Sequence, residues 1–253
     1  MTPTTSTAAR ETVPAVADRL ACLTEWLPPA PARVLDAGCG RGHLALALAR
    51  AGYAVAAVDI DPEAVAATTA LGVAAIESDI ADYDDRAFDA IVFSLSLHHT
   101  ARLAEAVERA RALLAPGGVL IVDEFAWERA DRATASWFYD IGAVLAGTGL
   151  TALPEHGAAV EDPHAEWVNQ HRDEHQLHSG ETMVDAIRAA FEIRELVRVP
   201  YLHHYLADKL DDDTAGRLFT SLQQIEQLRI TRGDLAAVGL RLLAHPANRE
   251  DRA

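Results

Sequence analysis

The chain reads Val34-Leu35-Asp36-Ala37-Gly38-Cys39-Gly40-Arg41-Gly42, an apolar strand that runs through an acid into a turn with glycine at every second position. Gly38 and Gly40 have no Cβ, so the backbone there can take positive φ and let a bulky ligand lie against it. Residues 43–51 are rich in alanine and leucine and read as a helix, so the glycines fall between the carboxyl end of a strand and a helix N-terminus. Open α/β sheets bind their ligands at that position. An ordinary βα turn accounts for one glycine, whereas an acid followed by three glycines at fixed spacing points to a ligand.

Working outward, strands are expected at 33–37, 54–59, 73–77, 88–94 and 118–124, alternating with helices at 42–51, 61–70 and 101–114. Asp61-Pro62 supplies an N-cap with proline at the first helical position, and Pro116-Gly117-Gly118 closes the third helix. This alternation indicates a parallel sheet with right-handed crossovers. Upstream, residues 13–27 have helical spacing and stop at Pro28-Pro29, so residues 1–30 are read as an N-terminal helical lid before a core at 31–125. After Glu124 the rhythm breaks, and residues 126–190, with Trp127, Trp137, Phe138, Tyr139 and Trp167, read as a mostly helical insertion. Trp137, Phe138 and Tyr139 are consecutive, so at least one is expected to leave the core for a pocket or interface. The closing segment, 191–253, carries strands at 191–199 and 236–245 around a helix at 212–230. Together these segments make one integrated domain without an internal repeat.

Length and composition narrow the function. A chain of 253 residues is long enough for one α/β domain with a full core. The net charge of −16 and pI near 5.0 oppose phosphate neutralisation, so a small-molecule substrate is expected and nucleic acid is not. Cys22 and Cys39 are the only cysteines, and Cys39 lies inside the glycine turn, which disfavours a disulfide framework. The sequence has no signal peptide and no apolar run long enough to span a membrane, so a cytoplasmic protein is expected. Oligomeric state is not legible.

The 34–42 loop resembles the cofactor loop of the class I S-adenosylmethionine-dependent methyltransferases, of the small-molecule, type 11-like kind. A nicotinamide dehydrogenase spaces its glycines as Gly-x-Gly-x-x-Gly under a pyrophosphate. Here Gly42 comes one residue early, and Asp36 suits an ammonium group while it would repel a pyrophosphate. The resemblance extends over about residues 31–125. It implies a doubly wound, Rossmann-like seven-stranded α/β sheet with an antiparallel last strand and helices on both faces. It also implies S-adenosylmethionine as cofactor and S-adenosylhomocysteine as product, held by Asp36, Gly38, Cys39 and Gly40 of the loop. Asp59, 23 residues after Asp36, stands where an acid accepts hydrogen bonds from a ribose. Ile60 matches the apolar neighbour that packs on adenine, Asp79 and Ile80 match the pair that meets the adenine edge, and Ser94 and Leu95 match the carbonyls that receive the ammonium. The segment 206–232 matches an extra element near the substrate pocket.

Methyl transfer is an in-line displacement in which the protein chiefly aligns the reactants, with a base where the acceptor must lose a proton. Histidine suits that role near neutrality, and the chain has eleven. His98 and His99 follow the fourth strand, where one of them should border the pocket, and His99 is taken as a base candidate. His171, His175 and His178 are expected on one helix face; His175 and His178 are further candidates, against a solvated face. Glu124, at the carboxyl end of the fifth strand and on the opposite face from Asp123, is the remaining candidate, against a structural partner for an arginine. No metal is expected, because no carboxylate or cysteine stands at ligand spacing from the histidine stripe and the fourth strand ends in Phe93-Ser94-Leu95 rather than acids. Two other activities keep the same loop: a non-methylating reaction such as cyclisation or elimination, and non-catalytic binding of the cofactor.

Overall fold

In the computed structural model, which describes residues 13–148 and 160–247, seven strands join one sheet. They are β1 (Arg33–Ala37), β2 (Ala54–Asp59), β3 (Ala74–Glu77), β4 (Phe88–Ser94), β5 (Leu114–Phe125), β6 (Phe191–Val199) and β7 (Gly239–Pro246). Their order is β3-β2-β1-β4-β5-β7-β6. Strands β1 to β5 pair in parallel, and β7 runs antiparallel to both β5 and β6. The last strand is thus inserted between its partner and the core, as the resemblance implied.

Alternation along the central strands decides which helices cover which face. Leu35, Ile91, Phe93, Leu120 and Val122 pack under α4 (Leu103–Leu113) and α7 (Gly180–Ala190). Their neighbours Val34, Val92 and Ile121 pack under α1 (Val13–Thr24) and α2 (His43–Arg50). α3 (Pro62–Ala70) begins as expected, with Asp61 accepting from the Glu63 amide and Pro62 at its first turn.

One boundary is corrected. β5 starts at Leu114, opposite Phe88, and the register then jumps so that Val119 faces Ala90. Pro116-Gly117-Gly118 is therefore an irregularity inside the strand rather than a turn before it. Gly117 takes φ +83°, and a Cβ on Gly118 would press on the Phe88 carbonyl oxygen at 2.8 Å.

A second apolar cluster surrounds Phe125 at the carboxyl end of β5. It is built from α5 (Arg132–Gly147), α6 (Pro163–Val168), α8 (Leu202–Ala207) and α9 (Asp212–Thr231), with Trp127, Phe138, Trp167, Leu202 and Phe219 in its interior. Phe138 is buried there and Trp137 and Tyr139 pack half-buried against the same cluster. The helix α8 was not foreseen; it opens the 206–232 segment one turn early. Residues 1–12 of the expected lid, 149–159 of the insertion and 248–253 of the closing segment lie outside the described residues. Among the described residues no helix is long and apolar enough to cross a membrane.

Candidate functional site

The glycine loop folds as its composition dictates. Gly38, Gly40 and Gly42 have φ of +77°, +51° and +78°, the left-handed region open to glycine at little cost. Gly38 and Cys39 donate to the Val58 carbonyl at 2.8 and 3.1 Å. A Cβ at Gly38 would overlap Ser96, and one at Gly42 would overlap Thr68, whereas nothing lies within 4 Å of a Cβ at Gly40. Thr68 ties the loop from beneath, its hydroxyl donating to the Gly40 carbonyl at 3.0 Å. Burial pushes the Cys39 thiol up to about 12, so it is a packing residue at neutral pH.

The three aspartates at the strand ends differ in how far the protein satisfies them. Asp36 is 2% exposed, and its Oδ2 has no hydrogen-bond partner. Burial raises its pKa to about 7, against a lowering pull from Arg19. Asp59 accepts from the Gly40 amide at 2.8 Å and from the Asp61 amide at 3.0 Å, so it shapes the loop and the following turn together. Each of its oxygens keeps a second lone pair. Ile60 beside it is 71% exposed. Asp79 accepts from the Ala81 amide at 2.9 Å and lies 3.6 Å from Arg102, while Ile80 is buried.

At the end of β4 the Ser94 hydroxyl is buried without a partner. Leu95 adopts φ +53° and donates to the Asp123 carbonyl at 2.9 Å. A β-carbon in that region costs on the order of 1 kcal/mol or more, and such outliers concentrate at functional sites. The chain beyond is held by Glu124, which accepts from the amides of Ser96 (2.9 Å), Leu97 (2.6 Å) and Phe125 (3.0 Å) and from His98 Nδ1 (2.5 Å). Burial works to raise its pKa, but His98 and the amides outweigh that and hold it below the usual carboxylate value. Both oxygens are thus engaged by protein donors. His98 spends Nδ1–H on Glu124, which leaves Nε2 as the ring's acceptor. His99 is exposed, with its ring 4.2 Å from that of His98, and partial burial of the ring and then His98 lower its pKa.

The histidine stripe is corrected. Residues Asn169–Glu174 form a π-helical turn that ends before His175, so His171, His175 and His178 share no helix face. His171 is buried, with Nδ1 2.6 Å from the Trp167 carbonyl and Nε2 unpartnered. His175 is exposed. His178 donates its amide to the His98 carbonyl and sets Nε2 2.9 Å from the Thr100 carbonyl, so it braces the turn that carries His98.

A second constellation lies across the sheet end. Ser96-Leu97-His98-His99 is echoed by Tyr201-Leu202-His203-His204, and Glu226 repeats the part of Glu124. It is fully buried and accepts from the amides of Tyr201 (2.8 Å), Leu202 (3.0 Å) and His203 (2.9 Å) and from His203 Nδ1 (2.7 Å). The two Leu-His-His tripeptides are the signal for this echo in the sequence, where His203 and His204, next to Tyr201 and Tyr205, read as packing partners of those tyrosines. His204 lines a small cavity with Leu95, Tyr201, Arg19, Asp123 and Arg241. Asp123 there takes the arginines, with Arg241 at 2.9 Å and Arg19 at 3.5 Å.

The sheet order, the glycine loop and the acids at successive strand ends together define a Rossmann-like methyltransferase fold. The chain belongs to the methyltransferase-domain family, whose model matches residues 9–179. A ubiquinone biosynthesis O-methyltransferase from Xylella fastidiosa (strain 9a5c) is 38% identical over 114 residues, 41% of this chain and 46% of that protein. The chain spans about half the length of the curated relatives it matches. Among solved structures, the geranyl diphosphate C-methyltransferase from Streptomyces coelicolor A3(2), in complex with Mg2+, geranyl diphosphate and S-adenosyl-L-homocysteine, gives a TM-score of 0.56 at 16% identity. That alignment covers 91% of this chain and 79% of the other. The [4+2]-cyclase SpnF gives 0.55 at 21% identity, covering 90% and 81%.

Proposed function

We propose that the chain is an S-adenosylmethionine-dependent methyltransferase acting on an O, N or C atom of a small metabolite, in the cytoplasm and without nucleic acid. The observation that carries this reading is Asp36, a buried carboxylate with an unpartnered oxygen beside a glycine loop that is open at Gly40. An ammonium satisfies such an oxygen and a phosphate repels it. S-adenosylmethionine, bound here, supplies a methyl carbon activated by a positive sulfonium.

The backbone of Gly38, Cys39 and Gly40 lines the cofactor, and Asp59 offers its remaining lone pairs to the ribose hydroxyls. Ile60 gives adenine an apolar face, and the Asp79 carboxylate and Ile80 amide meet its edge. The Ser94 and Leu95 carbonyls share the ammonium with Asp36. The strained Leu95 backbone is consistent with a carbonyl aimed by its surroundings rather than by local preference.

His98, rather than His99, is the base in this reading. Its Nε2 takes the proton from an acceptor hydroxyl or ammonium, and Glu124 fixes the ring and stabilises the imidazolium. Glu124 is therefore a positioning residue, because its oxygens are already committed to four donors. His178 braces the same turn, and the exposed His175 is left on the rim. The N-terminal helix α1 serves as a lid, and the aromatic cluster of the 126–190 insertion and α8 forms the acceptor side.

Calorimetric titration with S-adenosylmethionine, S-adenosylhomocysteine and NAD tests the cofactor, and labelled methyl donor with a panel of small hydroxylated and amine acceptors tests the reaction. Binding of NAD without S-adenosylmethionine sinks the assignment. A product that carries no label replaces methyl transfer with cyclisation or elimination.

A further inference from the structure

The mechanism above uses the first Leu-His-His turn and leaves the second without a task. That second turn is built as carefully. Glu226 fixes the His203 ring through Nδ1, so the only ring nitrogen left to His203 is Nε2, which is buried and unpartnered in a residue 1% exposed. His204 lies against it with ring centroids 4.2 Å apart and the planes tilted by 41°, and sets its Nε2 3.5 Å from Asp18 Oδ2, on α1. One ligating atom from each of Asp18, His203 and His204 lies within 4.8 Å of the other two.

We infer that Asp18, His203 and His204 form a binding site for a divalent transition-metal ion of the imidazole-preferring kind, such as Zn2+, Co2+ or Ni2+. Metal–ligand bonds of about 2.0–2.2 Å in a tetrahedral site set donors about 3.4 Å apart, so the Asp18–His204 spacing of 3.5 Å already fits, and a His203 ring nitrogen lies within 4.8 Å of both partners. Two imidazoles and one carboxylate suit these ions better than Mg2+ or Ca2+, which take oxygen ligands. Glu226 supplies the carboxylate behind a ligating histidine that orients the ring and raises its basicity.

The surrounding charge does not forbid a cation. Arg241 approaches the same Asp18 oxygen at 3.8 Å, but its shorter contacts go to Asp123 at 2.9 Å and Cys22 at 2.7 Å. Asp18, Asp123 and Glu226 stand against Arg19 and Arg241, three carboxylates against two guanidiniums. Three protein ligands leave coordination positions open. His204 lines the cavity shared with Leu95 and Tyr201, so an ion here would tie α1 to α8 at the edge of the proposed acceptor side. The inference rests on these side chains alone and stands whether or not the methyl-transfer reading does.

The test is titration of the full-length, metal-stripped protein with Co2+, followed by visible ligand-field absorption and by thermal unfolding. The expected result is one equivalent of Co2+ with tetrahedral-type absorption, a raised melting temperature and displacement by Zn2+. Asp18→Asn and His203→Gln should each weaken binding at least tenfold, and Glu226→Gln by about 10–100-fold. Asp18→Asn changes a half-buried residue and carries the test if His203→Gln does not fold. No stoichiometric Co2+ signal from the wild type overturns the inference. So does a signal that survives Asp18→Asn and His203→Gln but is lost in His98→Gln, which would move the ion to the first histidine turn.

Discussion

Nδ1 of His98 lies 2.5 Å from Oε2 of Glu124, with the two side chains 7% and 0% exposed. A hydrogen bond to a buried anion fixes both the tautomer and the direction of the ring, and it stabilises the protonated ring when a proton arrives. In the proposed reaction the pair divides its work: His98 would meet the acceptor, while Glu124 holds His98 and three backbone amides.

Substitution at the two positions should therefore have different signatures. His98→Gln should lower turnover by about 10²–10⁴-fold while the calorimetric affinity for S-adenosylmethionine is retained. Glu124→Gln should cost on the order of 3 kcal/mol in urea unfolding, because three amides and a histidine lose their anionic acceptor. Equal turnover in His98→Gln and wild type removes the base assignment.

Gly38 and Gly40 share positive φ but differ in what a methyl group meets. At Gly38 it overlaps Ser96, whose hydroxyl is bound to the Ala37 carbonyl at 2.6 Å and whose amide is bound to Glu124. Gly38→Ala should thus destabilise the protein by about 3 kcal/mol, the sum of left-handed strain and overpacking. At Gly40 the space is open, so Gly40→Ala should cost only about 1 kcal/mol of stability yet weaken cofactor affinity at least tenfold. Comparing melting temperature with calorimetric affinity for both variants separates the effects.

In the proposed site Asp36 would link cofactor binding to pH. Its pKa is raised from 3.8 to about 7, with burial the main cause. The folded apo-protein therefore retains a proton between those values that the unfolded chain gives up, and stability falls as pH rises through that window. Binding of an ammonium selects the ionised carboxylate, so affinity for S-adenosylmethionine should fall about tenfold between pH 8 and pH 6. Asp36→Asn should flatten that dependence, lower affinity at pH 8, and raise apo stability there by up to about 4 kcal/mol. An unchanged pH profile in Asp36→Asn removes Asp36 from the cofactor site.

What the sequence disclosed was whatever repeats at short range. Strand and helix alternation, Asp61-Pro62 and the glycine turn each carry a local signal, and β1 to β4 appear within a residue of where those signals put them. The bulge in β5 was hidden because Pro116-Gly117-Gly118 reads equally as a turn, and only pairing with Phe88 decides between the two. α8 has six residues, too few for a helical period to register. The choice between His98 and His99 depends on Glu124, 26 residues away, and that of His203 on Glu226, 23 residues away. No periodicity specifies such partners. The three-residue group Asp18, His203 and His204 joins chain segments separated by most of the fold, so no motif spacing could announce it.

Acid sensitivity follows from the buried histidines. His171 and His204 are each lowered from 6.5 to about 4, with burial the first cause in both. Between those values the unfolded chain binds protons that the folded protein refuses, so the stabilisation they contribute is complete above about pH 6.5 and is lost as pH falls toward 4. Each histidine accounts for at most about 3 kcal/mol across that window. Glu124, held below its usual value, adds a loss at still lower pH as its carboxylate protonates. Urea unfolding at pH 7 and pH 4.5 should show a large drop in stability for the wild type. His171→Gln should shrink that drop, since a glutamine has no proton to gain, while its nitrogen can still donate to the Trp167 carbonyl. A drop of the same size in the variant would mean that His171 titrates normally in the folded protein and is less enclosed than Trp127, Trp167 and Tyr205 make it.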